Sequence, residues 1–178
     1  MAEAVLQRLK RQFPEGVIDT SSDKGNETAL VKREQLLDIA VFLRDDPDLA
    51  FDMPIDCTCV DWPEREGARF DVVYHLYSLK KGHRVRLKLH VSADDSTCPS
   101  LTSVWPGMNW HEREAWDLYG MRFVDHPNLK RVLLYEEFEG HPLRKDFPID
   151  KRTPLIEERK VKEIITQRHA GPEMLNKP

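Results

Sequence analysis

Apolar residues recur along the first part of the chain with two different periods, and the change of period marks out its elements. Val5, Leu6, Leu9 and Phe13 fall on one side of a helix over residues 3–13, because a repeat near 3.6 brings such positions together. Pro14, Gly16 and Gly25 punctuate a turn or strand pair over residues 14–28, and Glu27 to Lys32 reads as a short strand. Glu34 to Arg44 predicts a second amphipathic helix. Its apolar stripe is Leu36, Leu37, Ala40, Val41 and Leu43, and Asp45-Asp46-Pro47-Asp48 stops it.

The period then shortens to two. Ile55 to Asp61 and Arg69 to Leu79 read as strands, the second with Phe70, Val72, Tyr74 and Leu76 on one face. The clearest alternation follows, with Val85, Leu87, Leu89 and Val91 set between Arg84, Arg86, Lys88 and His90. Lys80-Lys81-Gly82-His83 predicts a hairpin between these two strands. Helices ahead of strands that are joined antiparallel predict an α+β fold, with helices packed on one face of a small, mostly antiparallel sheet.

Asn109 to Gly120 predicts one more helix with both ends signalled. Asn109 is a favoured N-cap, Glu112 stands where a capping-box side chain reaches back, and Gly120 suits a left-handed stop. Arg113 and Asp117, four apart, are spaced to pair, and Glu112, Trp116 and Tyr119 share a second face. Glu112 and Glu114 are two apart and face different ways, which weakens a catalytic carboxylate pair.

After Gly120 the periodicity ends. Six of the twelve prolines lie in residues 121–178, a spacing that predicts no sheet there and only short helices. Ile156 to Gln167 is the one candidate, with Val161, Ile164 and Ile165 as its apolar side. Ordering each residue costs about 1–2 kcal/mol of backbone entropy, more than a head of residues 1–120 offers in spare apolar surface. Yet Leu133-Leu134-Tyr135, Phe138, Phe147 and Ile149 are too apolar for a solvated tail. The division is therefore an α+β head over 1–120 and an extended, partner-binding segment over 121–178.

Composition narrows the function. The 178 residues suffice for one core, while 40% hydrophobic and 33% charged content suits a modest core with an ionic surface. A net charge of -4 gives no electrostatic case for nucleic acid. No apolar run reaches bilayer length, the N-terminus lacks a secretory pattern, and three cysteines argue for a reducing, cytoplasmic setting. Cys57 and Cys59 with only Cys98 elsewhere cannot complete a four-thiolate cluster, so burial is their expected role. The seven histidines form no paired metal motif, and His126 and His141, each before proline, are expected to fix loops by hydrogen bonding. The eight glycines make no phosphate loop, and no serine or cysteine has a neighbouring base. Catalytic, cofactor and metal residues are thus expected to be none. Two other readings are an enzyme using the acidic helix with His126, and an RNA-binding module on strand 84–90. The second lacks stacking aromatics on that strand.

One resemblance gathers these features. Glu112-Arg113-Glu114, Asp117-Leu118-Tyr119-Gly120, His126-Pro127 and Leu129-Lys130-Arg131-Val132-Leu133 stand in the order of a family signature. Glu139-Gly140-His141-Pro142-Leu143-Arg144-Lys145-Asp146-Phe147-Pro148 continues it. Upstream, so do Val60-Asp61-Trp62-Pro63, Arg69 to Leu76, and Pro99 to Pro106. Together they resemble the 30-kDa subunit family of respiratory complex I, the C-type subunit of NADH-quinone oxidoreductase in bacteria. Asp125 stands where that family has glycine before His-Pro, and Cys57 and Cys59 where it has aliphatic residues.

The resemblance implies a non-catalytic structural subunit of the peripheral arm of the proton-translocating enzyme. It implies iron–sulfur clusters, FMN and quinone held by partner subunits and none by this chain. The expected partners are the 49-kDa-type (D) quinone-site subunit, the B-type iron–sulfur subunit and other peripheral-arm subunits. The D-type partner is expected as a separate polypeptide, since this chain ends at Pro178. Membrane association is expected only through the complex, on the cytoplasmic side of the bacterial inner membrane. Carried over residue by residue, Glu112, Arg113, Glu114 and Asp117 anchor the helix or its partner. His126, Pro127, Lys130, Arg131, His141, Pro142, Leu143, Arg144, Lys145 and Asp146 belong to the wrapping segment. Related membrane-bound hydrogenases and other quinone reductases use an equivalent subunit, although the 139–148 block leans toward the NADH-linked form.

Overall fold

The structure, a computed structural model, describes residues 2–151. Its elements are α1 (Ala2–Gln12), β1 (Val17–Asp23), β2 (Asn26–Val31), α2 (Leu36–Asp45), β3 (Met53–Asp61), β4 (Phe70–Ser78), β5 (His83–Val91), β6 (Thr97–Pro99), α3 (Met108–Tyr119) and β7 (Arg122–Val124). The predicted helix over 156–167 lies outside the described residues.

Five strands form the main sheet in the order β1-β2-β5-β4-β3. Every pairing is antiparallel except β2 with β5, which is parallel because α2, β3 and β4 intervene in the chain. The alternation that predicted β5 has a direct physical result: Val85, Leu87, Leu89 and Val91 are buried while Arg84 and His90 are exposed. Opposite them Phe70, Val72, Tyr74 and Leu76 of β4, then Cys57 and Cys59 of β3, complete one apolar face. This face carries the helices. α1 lays Val5, Leu6 and Leu9 against β2 and its neighbours, α2 contributes Leu36, Ile39, Ala40 and Leu43 to the same core, and α3 lies along β3.

α2 corrects the predicted stripe. Ile39 is fully buried, whereas Leu37 and Val41 are 39% and 37% exposed. These two stand four apart, one turn of helix, on the side away from the sheet, so apolar content alone misassigned them.

A second correction concerns β7. Sheet was not expected after Gly120, yet Arg122–Val124 pairs in parallel with β6. α3 connects the two strands, which makes β6-α3-β7 a small crossover unit. The prolines at 127, 142 and 148 lie beyond this strand and do not interrupt its ladder. Asp125 then turns the chain with φ 63°, in the left-handed region. A side chain there is strained by about 1–2 kcal/mol, which accounts for the glycine expected at this position. Asp125→Gly is expected to raise stability by up to about 1 kcal/mol, measured by urea denaturation; a loss of stability would contradict the strain.

Candidate functional site

α3 starts at Met108, one residue before the predicted cap. Gly107 precedes it without a side-chain cap, so the Asn109–Glu112 capping box does not form. Glu112 is instead fully buried against the loop after β6. It accepts the Ser100 hydroxyl and the Leu101 amide N–H, each at 2.6 Å. Burial pushes its carboxyl up to about 7, against the opposing effect of these two bonds. The C-terminal end behaves as predicted, since Gly120 takes φ 74° and its amide closes the helix on Trp116 O.

Five residues along the helix sits a second buried carboxylate in a different setting. Asp117 Oδ2 accepts three consecutive amides, those of Val132, Leu133 and Leu134, at 3.0, 2.9 and 2.9 Å. Its Oδ1 accepts the Arg131 guanidinium at 2.6 Å. Burial by itself raises a carboxyl pKa, but the bonds from Leu134, Val132, Arg131 and Leu133 outweigh it and hold Asp117 below the ordinary range. The predicted Arg113–Asp117 pair is absent because Asp117 is saturated by the following segment. Arg113 donates to the carbonyls of Lys130 and Arg131 and lies over the Trp110 ring.

Arg131 links the two limbs of that segment. It reaches the carbonyls of Phe138 and Gly140 as well as Asp117, and lies 5.7 Å from the ring centres of both Trp116 and Phe138. Phe138 is itself buried and stacks with Phe147. His141 donates Nδ1–H to Asp117 O, and Leu143 N–H bonds Leu118 O. His126 donates Nε2–H to Asn109 O and accepts the Asn128 amide on Nδ1. Both histidines thus fix loops, and burial lowers the pKa of each.

The far end of the segment is fastened to the main sheet. Asp61 at the end of β3 takes Arg69 through both oxygens and also accepts the Lys145 amide at 2.7 Å. Arg69 bridges on to Asp146 at 2.9 Å. Arg144 donates to Tyr119 O and lies over Phe70. Gly120 permits this approach, because a Cβ there would meet Arg144 and His141 at 2.6 Å.

Of the sequence-predicted residues, Arg113, Asp117, Lys130, Arg131, His141, Leu143, Arg144, Lys145 and Asp146 converge here. Glu112 faces the other way, into the core. Glu114 and Pro127 are exposed, and Pro142 is half-buried. Sequence reasoning missed Asp61, Arg69 and Ser100 as site residues. Each stands inside a signature block, but 61 and 145 are 84 residues apart and no spacing rule joins them. Residues 121–151 thus draw much of their order from the head itself, through hydrogen bonds to charged groups together with burial of Met121, Phe123 and Phe138. Among the described residues no group of three or more His, Cys, Asp or Glu is placed to hold a metal ion, and Cys57, Cys59 and Cys98 are buried free thiols.

Asp117→Asn is expected to cost about 3–5 kcal/mol, because Arg131 is left without its counter-charge. Hydrogen exchange at Val132, Leu133 and Leu134 should accelerate; unchanged protection would refute the anchoring. Glu112 contributes with the opposite pH sign. Its folded pKa is raised, so its contribution is full below the ordinary value of 4.5 and is lost as pH rises through about 7. Glu112→Gln should flatten the fall in stability seen by urea denaturation between about pH 5 and about pH 8. An unaltered profile would remove Glu112 as its source.

The family model described as "Respiratory-chain NADH dehydrogenase, 30 Kd subunit" matches residues 29–153. The C-type subunit of NADH-quinone oxidoreductase from Caulobacter vibrioides is 52% identical over 135 residues, covering 75% of this chain and 67% of that protein. The protein of the same name from Roseiflexus sp. (strain RS-1) is 44% identical over 145 residues, covering 82% and 83%. The trypsin-resistant fragment (1-134) of Nqo5 superposes with TM-score 0.60 at 27% identity, covering 72% of this chain and all of that one. A chain of the membrane-bound sulfane sulfur reductase, an archaeal respiratory membrane complex, shares the fold with TM-score 0.65 at 18% identity, over 99% and 95% of the two chains. The chain belongs to the 30-kDa subunit family of respiratory-chain NADH dehydrogenase.

Proposed function

We propose that this chain is a non-catalytic structural subunit of the peripheral arm of proton-translocating NADH:quinone oxidoreductase. In this reading it supports electron transfer from NADH through iron–sulfur clusters to quinone while those groups and FMN reside on partner subunits. One observation carries it. Arg113 and Asp117 of α3 are consumed in fastening the backbone of residues 130–134, and large apolar side chains stand outward beside it. Leu133 is 61% exposed, Leu143 45%, and Trp110 on the helix 60%. Apolar side chains held out on a pre-ordered backbone form a binding surface with part of the ordering cost already met.

The partners in this reading are the 49-kDa-type (D) quinone-site subunit along the extended segment and the B-type iron–sulfur subunit nearby. Membership of the family and the names of its relatives support partners among the subunits of such a complex. No helix among the described residues is long and apolar enough to cross a membrane, which suits peripheral attachment to the cytoplasmic side of the bacterial inner membrane through the complex.

The test is purification of the tagged chain from its own membranes. D-type and B-type subunits are expected with it, and recovery without oxidoreductase subunits would overturn the reading. Arg113→Ala removes two charge-assisted bonds worth about 1.5–3 kcal/mol each. It should lower assembled complex at least tenfold, by about that factor or more, while circular dichroism of the isolated chain stays unchanged. Normal complex yield would count against it.

A further inference from the structure

The sheet face opposite the helices carries no helix among the described residues, and three cations line up along its central strand. Arg84, Arg86 and Lys88 of β5 all point to it. Spaced two residues apart, they stand about 7 Å from one another, inside the ~8 Å screening length of physiological salt. Most of the other arginines among the described residues are engaged. Arg8, Arg33, Arg44, Arg65, Arg69 and Arg131 have carboxylate partners, while Arg113 and Arg144 hold carbonyls. Among the described residues Arg84, Arg86 and Lys88 have no carboxylate within 4.0 Å, and Arg86 Nε is buried without an acceptor.

Four carboxylates stand near this column and none pairs with it: Asp19 lines a cavity with Lys88 and His90 but accepts the Thr20 amide. Asp71 is committed to Arg65, His90 and Trp62, and Asp56 leans toward His111 at 3.7 Å. Glu27 shares a cavity of about 100 Å³ with Arg84, Arg86 and His75, yet it makes no ion pair there. A chain with 31 acidic and 27 basic residues thus leaves three cations unopposed on one strand.

We propose that this open sheet face is a second docking surface, and that its occupant is a polypeptide segment presenting carboxylates to Arg84, Arg86 and Lys88. Charge complementarity carries the choice. Area supports it: five strands about 4.8 Å apart and up to about nine residues long cover roughly 24 by 30 Å. That is about 700 Å², close to the ~800 Å² each partner contributes to a stable interface. Met53 and Ile55 at the β3 edge, each 44% exposed, add an apolar margin. A nucleic acid would want a row of stacking aromatics among the cations, whereas the β4 residues paired with Arg84, Arg86 and Lys88 are Tyr77, His75 and Val73, a single phenol ring in the row. The surface lies apart from the α3 site, and the proposal goes beyond the function above.

The test uses the full chain in its native assembly with a benzophenone amino acid in place of Tyr77 or, separately, Thr58, both on this face. Irradiation is expected to link it to a polypeptide, at a segment carrying at least two Asp or Glu. Arg84→Glu with Lys88→Glu should cut that adduct by about tenfold or more, with the thermal melting of the chain unchanged. Arg84→Lys with Lys88→Arg should keep it. An adduct with phospholipid or RNA, a linked segment without carboxylates, or no adduct at all would overturn the proposal. A missing adduct in an otherwise complete complex sinks this surface alone and leaves the role of the α3 site standing.

Discussion

A single carboxylate organises the second half of this molecule. Asp117 is fully buried near the C-terminal end of α3, where the helix dipole disfavours negative charge. It is stable there because one oxygen takes three successive amides and the other takes a guanidinium. The three amides belong to consecutive residues, so one acceptor fixes the local path of a chain with no regular secondary structure. Every later contact of the segment, from Arg131 on Phe138 and Gly140 to Lys145 on Asp61, starts from that fixed point.

Two buried carboxylates on one helix show how setting decides chemistry. Glu112 and Asp117 are both inaccessible, yet their pKa values move in opposite directions. Glu112 has two donors, both neutral, and burial dominates. Asp117 has four, one of them charged, and they dominate. Neither opens to solvent beside a group it might deprotonate. The sheet supplies the rigid support: α3 rests along β3 and meets β7.

The same sheet carries no helix on its other face among the described residues. Many charges are matched where the chain folds back on itself, whereas Arg84, Arg86 and Lys88 on the outer side of β5 have no carboxylate within ion-pairing distance among the described residues. That contrast separates groups that hold this subunit together from groups available to hold something else.

The main elements were legible in the sequence because each is set by local periodicity. The β5 alternation, the hairpin before it, the α1 stripe and the Gly120 stop follow from near-neighbour geometry alone. The signature blocks placed Arg113, Asp117, Arg131 and Lys145 at one site in kind, but not in their pairings. Asn109 looked like a cap, and Arg113 looked like the partner of Asp117, since those readings minimise sequence distance. The fold chose otherwise: Ser100 and Leu101 approach Glu112 from β6, and Arg131 with its following amides reaches Asp117 from fourteen to seventeen residues away. β7 and the order of residues 125–151 were invisible for the same reason. Sequence determines which residues seek a partner. When the candidates are many and the partner is a backbone amide, which carries no residue identity, only tertiary structure decides which one is found.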